Sequence, residues 1–449
     1  MGEKMNLFTK LAARKEAGNP VRIGLIGAGK FGSMFLAQAR KLPAIHIAGI
    51  ADLSPDRARE NLAFVNWKEE AYGAADLEEA CRNQTTFITD NTAELINDDR
   101  IELIIEATGD PLVAVDHIIG AFDAGKNVIN VTVEADAFCG PGLARRAERA
   151  GQIYSMAYGD QPALVCDLVD WARTCGFNVM AAGRGHKWLP HYRFSTPETV
   201  WDHWGLTPEQ AERGRLNPKM FNAFLDGSKP SIESAAIANA CRLHVPTQGL
   251  AYPSGSVDEI PHLMRPQSLG GVLEKPEMVE VISSITPDGK PIAYDIRKGV
   301  WVCIEADTDY IRNCFEEYKV TTDDSGHYSC LYKRWHLIGL ELGMSIGSVA
   351  VRAEASGAAV CFHADVPAVA KASLDVGTIL DGEGGATIYG GLRPASVSVA
   401  AGYLPLGLAN KARIIRPVSP DQLLTWDDVE LDANRLAFDL RRETEALLS

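Results

Sequence analysis

A short apolar run at 21–26 ends in Gly27-Ala28-Gly29-Lys30-Phe31-Gly32, and an apolar-periodic helix follows through Phe31, Met34 and Phe35. No other feature of the chain constrains its fold as tightly. A G-x-G-x-x-G turn between strand and helix needs a tight bend at the first glycine, bare backbone at the second for the approach of a pyrophosphate, and close helix-to-strand packing at the third. The helix N-terminus, here Lys30-Phe31, then favours the phosphate charge. About twenty residues after Gly32, Asp52 ends the next apolar run, where an acid accepts hydrogen bonds from ribose hydroxyls. Strand, glycines, helix, strand and acid in this order predict a dinucleotide-binding unit.

Strand-sized apolar runs recur at 21–26, 46–51, 86–89, 103–107, 127–131 and 153–157, separated by helix-period segments. Ser54-Pro55 and Asp110-Pro111 look like helix starts, each a capping side chain before a proline whose missing N–H costs nothing. The rhythm predicts an α/β fold with an N-terminal doubly wound parallel sheet of the Rossmann type. Ala107, Thr108 and Gly109 follow the fourth run, at the sheet edge expected to face the nicotinamide. Cofactor choice stays open. A bare Asp52 favours NADH, whereas Ser54, Arg57 and Arg59 nearby suit the extra phosphate of NADPH.

Three domains are expected: a dinucleotide-binding domain with an N-terminal helix (1–158), a middle α/β domain with a mixed sheet for catalysis and dimerisation (159–355), and a small β-rich domain with a C-terminal helix (356–449). The amphipathic lead Leu7, Phe8 and Leu11 belongs to the N-terminal helix, and 336–353 reads as one long, mostly apolar helix. With 46% hydrophobic and 23% charged residues the chain is globular rather than disordered, and no run approaches the ~20 apolar residues of a membrane span. A net charge of −15, without a Lys/Arg cluster, argues against nucleic acid or an anionic membrane as partner. Nine cysteines without a C-x-x-C pair indicate reduced thiols, and Met1-Gly2-Glu3-Lys4 lacks the apolar run of a signal peptide, so the expected location is cytoplasmic.

Several stretches together carry a resemblance: the 23–32 turn, Glu106-Ala107-Thr108-Gly109-Asp110-Pro111, Val133-Glu134-Ala135-Asp136, Gly159-Asp160-Gln161-Pro162-Ala163, Asn217-Pro218-Lys219-Met220-Phe221-Asn222, Asp226-Gly227-Ser228-Lys229 and 336–343. With the tail Leu404-Pro405-Leu406-Gly407-Leu408-Ala409, the chain resembles homoserine-dehydrogenase-related oxidoreductases with a C-terminal SAF domain. Among these it is most similar to the deoxyxylulose-phosphate-reductoisomerase-like proteins. The resemblance implies NADPH-dependent conversion of 1-deoxy-D-xylulose 5-phosphate in isoprenoid precursor synthesis, a divalent cation (Mg²⁺ or Mn²⁺), and a homodimer. A plain dehydrogenase of a sugar- or amino acid-derived alcohol is the alternative enzyme, and a nucleotide- or sugar-sensing regulator the alternative outside enzymes.

The candidate chemistry lies in the middle region. Lys229 opens a helix one turn before Glu233, where the positive end of the helix dipole favours a neutral lysine and suits it to give a proton to a carbonyl oxygen, with Asp226 and Glu233 fixing its position. Arg184 and Lys187, on an expected flexible turn after a strand at 178–182, suit a small anionic or polyol substrate, Lys187 being a second catalytic candidate; a solvated basic loop explains the pair equally well. Asn222 and His336 are further substrate contacts, and Asp160 is a catalytic candidate that helix capping alone would also explain. Glu134 and Asp136 are candidates for a divalent metal. Gly343-Met344-Ser345-Ile346-Gly347 matches G-x-S-x-G but sits in a helical run, where a hydrolase nucleophile is not expected.

Overall fold

The computed structural model describes residues 6–214 and 216–448. Met1-Gly2-Glu3-Lys4, read above for targeting, lies outside them. The chain divides into two compact units, one of Met1–Ala135, Pro141–Leu164 and Leu337–Ala358, the other of Asp136–Gly140, Val165–His336 and Ala359–Ser449.

In the first unit six parallel strands, β1 (Val21–Ile26), β2 (Ile45–Ala51), β3 (Phe87–Thr89), β4 (Leu103–Glu106), β5 (Asn127–Asn130) and β6 (Tyr154–Met156), lie in the order 3-2-1-4-5-6. The strand order reverses between β1 and β4, so the crevice at the carboxyl ends of these two strands is where a ligand of such a sheet binds. Its helices are α1 (Leu7–Glu16), α2 (Lys30–Ala39), α3 (Pro55–Phe64), α4 (Leu77–Asn83), α5 (Thr92–Ile96), α6 (Pro111–Asp123) and α7 (Val133–Ala150). Both predicted caps form: Ser54 Oγ accepts from Arg57 N, and Asp110 Oδ1 from Leu112 N and Val113 N. Val21, Ile23, Leu25 and Ile26 are all buried, because helices cover both faces of the sheet and leave no solvent side for alternation. Leu7 and Leu11 enter this core, whereas Phe8 is exposed.

The long helix expected over 336–353 is not there. Gly339 has φ +75°, and a Cβ on it would come within 3.1 Å of Phe31 O and Phe35 N, so the chain turns tightly against α2 instead of coiling. Only Gly343–Gly347 is α-helical, running on as a π-helix over Ser348–Arg352. Ser345 is buried, its hydroxyl bonded to Ser356 and accepting from Tyr158 N, so the G-x-S-x-G stretch is a packing joint.

The second unit carries a mixed sheet of β7 (Asn178–His186), β8 (Met278–Ser283), β9 (Val300–Glu305) and β10 (Tyr328–Lys333) in the order 10-9-7-8, with only β7 and β8 parallel. Helices over 160–245 are α8 (Gln161–Thr174), α9 (Val200–Trp204), α10 (Pro208–Arg213), α11 (Pro218–Leu225) and α12 (Ser228–Cys241). Almost all of α12 is buried, which its small side chains (Ser, Ala, Asn) permit by letting neighbours approach closely. The tail pairs short antiparallel strands, such as Ala368–Ala370 with Ile388–Gly390, and ends in the helix Leu436–Glu445. Arg441 fastens that helix to buried Asp365 through bonds of 2.8 and 2.7 Å. All nine cysteines are free. No helix among the described residues is long and apolar enough to cross a membrane.

Candidate functional site

The glycine turn of the first unit divides its labour as the motif requires. Gly27 has φ +94°, and a Cβ there would stand 2.5 Å from Ala107 O, so the turn is pressed against the end of β4. A Cβ on Gly32 would meet Gly27 O at 2.7 Å. Around Gly29 there is nothing within 4 Å: this glycine leaves open space at the N-terminus of α2. Lys30 and Phe31 form the first turn of that helix. Asp52 is buried at the end of β2, and its carboxylate accepts from Ala28 N (2.9 Å), Ser54 N (2.9 Å) and the Arg57 guanidinium (2.7 Å). Its charge is therefore matched by Arg57, whose side chain is 57% exposed, while Arg59 pairs with Asp56.

The end of β4 holds a group that sequence reasoning passed over. Glu106 is fully buried and accepts from the Thr108 and Thr132 hydroxyls and from Thr108 N, with His117 Nδ1 at 3.5 Å. Thr132 in turn accepts from Gly109 N. One carboxylate thus sets the conformation of the expected nicotinamide edge, Ala107-Thr108-Gly109. The available signal was an acid closing an otherwise apolar strand. Asp160 immediately precedes α8, its Oδ1 accepting from Gln161 N at 2.9 Å.

In the second unit, two expectations about Arg184 are corrected. β7 runs on to His186, so Gly183-Arg184-Gly185 is strand, not a flexible turn, and the glycines are there because a Cβ would strike Glu280 O (1.8 Å) on β8 or Ile296 O (2.0 Å). Arg184 is buried and ion-paired with Glu233 of α12, also buried. Glu233 therefore neutralises a strand cation, and the Arg184 guanidinium is held in the interior by that pair. Burial and the nearby Arg184 charge push His186 well below its ordinary value, and its Nε2 bonds Phe224 O at 2.6 Å. Lys187 is half-buried, donates to His203 O at 2.5 Å, and lies over the rings of Trp204 (5.8 Å) and Tyr192 (6.0 Å). Lys229 is the second residue of α12 and half-buried, at the helix start as expected.

Asp226 and Asn222 are likewise committed to the fold. Asp226 is fully buried, accepts from Ser228 N at 2.8 Å and pairs with Lys371 at 2.8 Å. Lys371 also donates to Ser195 O and Gly385 O. Asn222 donates to Ser195 O, Gly384 O and Gly385 O while its Oδ1 accepts from the Ser195 hydroxyl. Asn222 and Lys371 clamp the 384–385 turn, and Asp226 holds Lys371 in place. Lys371 stands 145 residues from Asp226 with no motif around it, so nothing local marked it.

Glu134 and Asp136 do not fit a metal. They lie on α7 rather than in a loop, and two positions along a helix point roughly 200° apart. Among the described residues no group of three or more His, Cys, Asp or Glu side chains could hold an ion. His336 is half-buried with Nδ1 2.7 Å from Lys298 O.

No curated protein matches the chain. Among solved structures it is similar to a putative oxidoreductase from Klebsiella pneumoniae (17% identity, 42% of this chain and 48% of that one, TM-score 0.27). It is also similar to the putative oxidoreductase yvaA from Bacillus subtilis (14%, 75% and 89%, TM-score 0.37). GenD2 from gentamicin A biosynthesis, in complex with NAD, is a third (14%, 41% and 50%, TM-score 0.26). The chain spans about half the length of the first of these. At such scores the likeness identifies neither substrate nor cofactor for this chain. Residues 159–342, however, match the family model described as oxidoreductase DRL, catalytic domain.

Proposed function

We propose that the chain is an NAD(P)H-dependent oxidoreductase that reduces the carbonyl of a small anionic or polyol substrate, with Lys229 supplying the proton. The observation that carries this is the empty space around Gly29, between Gly27 and Gly32, whose own surroundings are closed by backbone: a cradle that one added side chain would fill. The residues present fit a dinucleotide. Gly29 and the first turn of α2 take the pyrophosphate, Asp52 the ribose, and Ala107, Thr108 and Gly109 the nicotinamide side. NADPH is the favoured form, because Arg57 already balances the Asp52 charge that would repel a 2′-phosphate and is exposed enough to reach one.

When bound, the nicotinamide supplies the hydride to the substrate carbon. The Lys229 ammonium gives its proton to the carbonyl oxygen, or in the reverse direction its amine takes the proton of the hydroxyl. Lys229 stands at the start of α12, where the helix dipole opposes its charge and eases release of the proton. Glu106 holds Thr108 and Thr132 in place through their hydroxyls. No step is assigned to a divalent cation, since Glu134 and Asp136 do not converge.

The finer reading is a deoxyxylulose-phosphate-reductoisomerase-like reaction serving isoprenoid precursor synthesis, with a SAF-like tail and a homodimeric assembly. It is supported by the Asp226-Gly227-Ser228-Lys229 and 336–343 stretches of the resemblance. The test is NADPH and NADH oxidation against a panel of phosphorylated ketoses, deoxyxylulose 5-phosphate included, with and without Mg²⁺ or Mn²⁺. Turnover of that ketose with NADPH supports the finer reading. Turnover of other carbonyl compounds alone leaves the oxidoreductase and removes the isoprenoid role.

A further inference from the structure

The second unit holds a cavity of about 100 Å³ beside the start of α12, lined by Gly227 and Ser231 of that segment and by Trp188, Arg193, Tyr252 and Arg393. Its cations outnumber the carboxylates free to balance them. Arg393 is half-buried, held by backbone alone through bonds to Leu392 O (2.7 Å) and Gln248 O (3.4 Å), and among the described residues it has no carboxylate partner. Arg193 donates to Pro190 O, and its nearest carboxylate, Asp421, is 4.0 Å away and also accepts from the Tyr389 hydroxyl. Asp226 lines the same space but is paired with Lys371 and bonded to Ser228 N. A desolvated guanidinium beside a second cation, without a counter-ion, is a costly arrangement that an entering anion relieves. Burial and Arg193 together hold Arg393 below its ordinary value.

The neutral donors converge on the same space. Trp188 Nε1 is buried with no hydrogen-bond partner among the described residues. A Cβ on Gly227 would stand 3.3 Å from that nitrogen and 3.3 Å from the Tyr252 hydroxyl, so the glycine, at φ +90°, keeps clear the space that both approach. The wall is stiff: the Trp188 and Tyr252 rings stack at 4.1 Å, and the Arg193 guanidinium lies 5.6 Å from the Trp188 ring. The volume is enough for one oxyanion head.

We propose that this cavity binds the oxyanion head, phosphate or carboxylate, of a small ligand between Arg193 and Arg393, with the Trp188 indole N–H as third donor. The site lies within one compact unit and does not rest on the dinucleotide reading. Calorimetric titration of the full chain, without cofactor and at constant ionic strength, with inorganic phosphate and separately with acetate, tests it. Saturable one-site binding is expected for wild type. Arg193→Gln and Arg393→Gln should each weaken it roughly tenfold or more, and Trp188→Phe should weaken it while keeping the stack. Arg334→Gln, an arginine on the Tyr294 ring, should leave it unchanged. The preferred ion identifies the head group as phosphoryl or carboxylate. Absence of saturable binding of either ion by wild type, or unchanged affinity in Arg193→Gln, overturns the site. If Arg393→Gln does not fold, Arg193→Gln and Trp188→Phe decide the matter. NADPH affinity, measured alongside, is expected to stay constant in all variants, so loss of the anion site and failure of the dinucleotide reading are distinct results.

Discussion

Arg184 on β7 and Glu233 on α12 form an ion pair in which both side chains are almost wholly shielded from water, at 4% and 2% exposure. Two residues that look like substrate and catalytic groups in sequence thereby become the lock between a strand and the helix that carries Lys229. A buried charge that loses its partner is expensive, whereas a buried pair replaced by apolar groups is often not.

Arg184→Met alone should therefore cost on the order of 3–5 kcal/mol in urea-induced unfolding, because Glu233 is left uncompensated. The double variant Arg184→Met/Glu233→Leu should recover most of that loss. A single variant within about 1 kcal/mol of wild type would show that the pair does not hold the fold.

The glycines of the nucleotide turn should separate binding from stability. Gly29→Val fills space that is open in the protein alone, so thermal stability should stay near wild type while NADPH binding is lost. Gly27→Ala, forced to keep φ +94° with its Cβ against Ala107 O, should lose stability as well. Equal NADPH affinity in Gly29→Val and wild type would remove the cofactor site from this turn.

Lys229→Met should bind NADPH normally and turn over almost nothing, because an acid used only in the transition state is worth roughly 100- to 10,000-fold in kcat. Retention of more than about a tenth of wild-type kcat would move the proton donor elsewhere. Lys187, lowered by burial and by Arg297, is the next candidate.

Glu280 of β8 should make stability fall with pH. It is buried, has no cation paired with it among the described residues, accepts from Val281 N, Ala251 N and Tyr252 N, and desolvation pushes its carboxyl from 4.5 up to about 7. The folded chain then keeps a proton that the unfolded chain has lost. The contribution is fully present below about pH 4.5 and is lost as pH rises through about 7, on the order of 3 kcal/mol in all. Chemical denaturation across this window should show the slope in wild type and a flatter one in Glu280→Gln. Identical slopes would mean that Glu280 titrates as an exposed carboxylate does.

What was legible in the sequence is what local chemistry decides. The six strand runs, the proline-started caps at Ser54 and Asp110, and the glycine turn each depend on residues within a few positions of one another, so spacing and residue type sufficed to place the parallel sheet and its ligand crevice. Which polar side chains are free to do chemistry was decided elsewhere. Arg184 meets Glu233 across 49 positions, Asp226 meets Lys371 across 145, and Arg193 and Arg393 come to one cavity from distant segments. A charged residue in a buried place is settled by its counter-ion, and that partner is chosen by tertiary packing, because only the folded chain removes the water that would otherwise satisfy each charge alone.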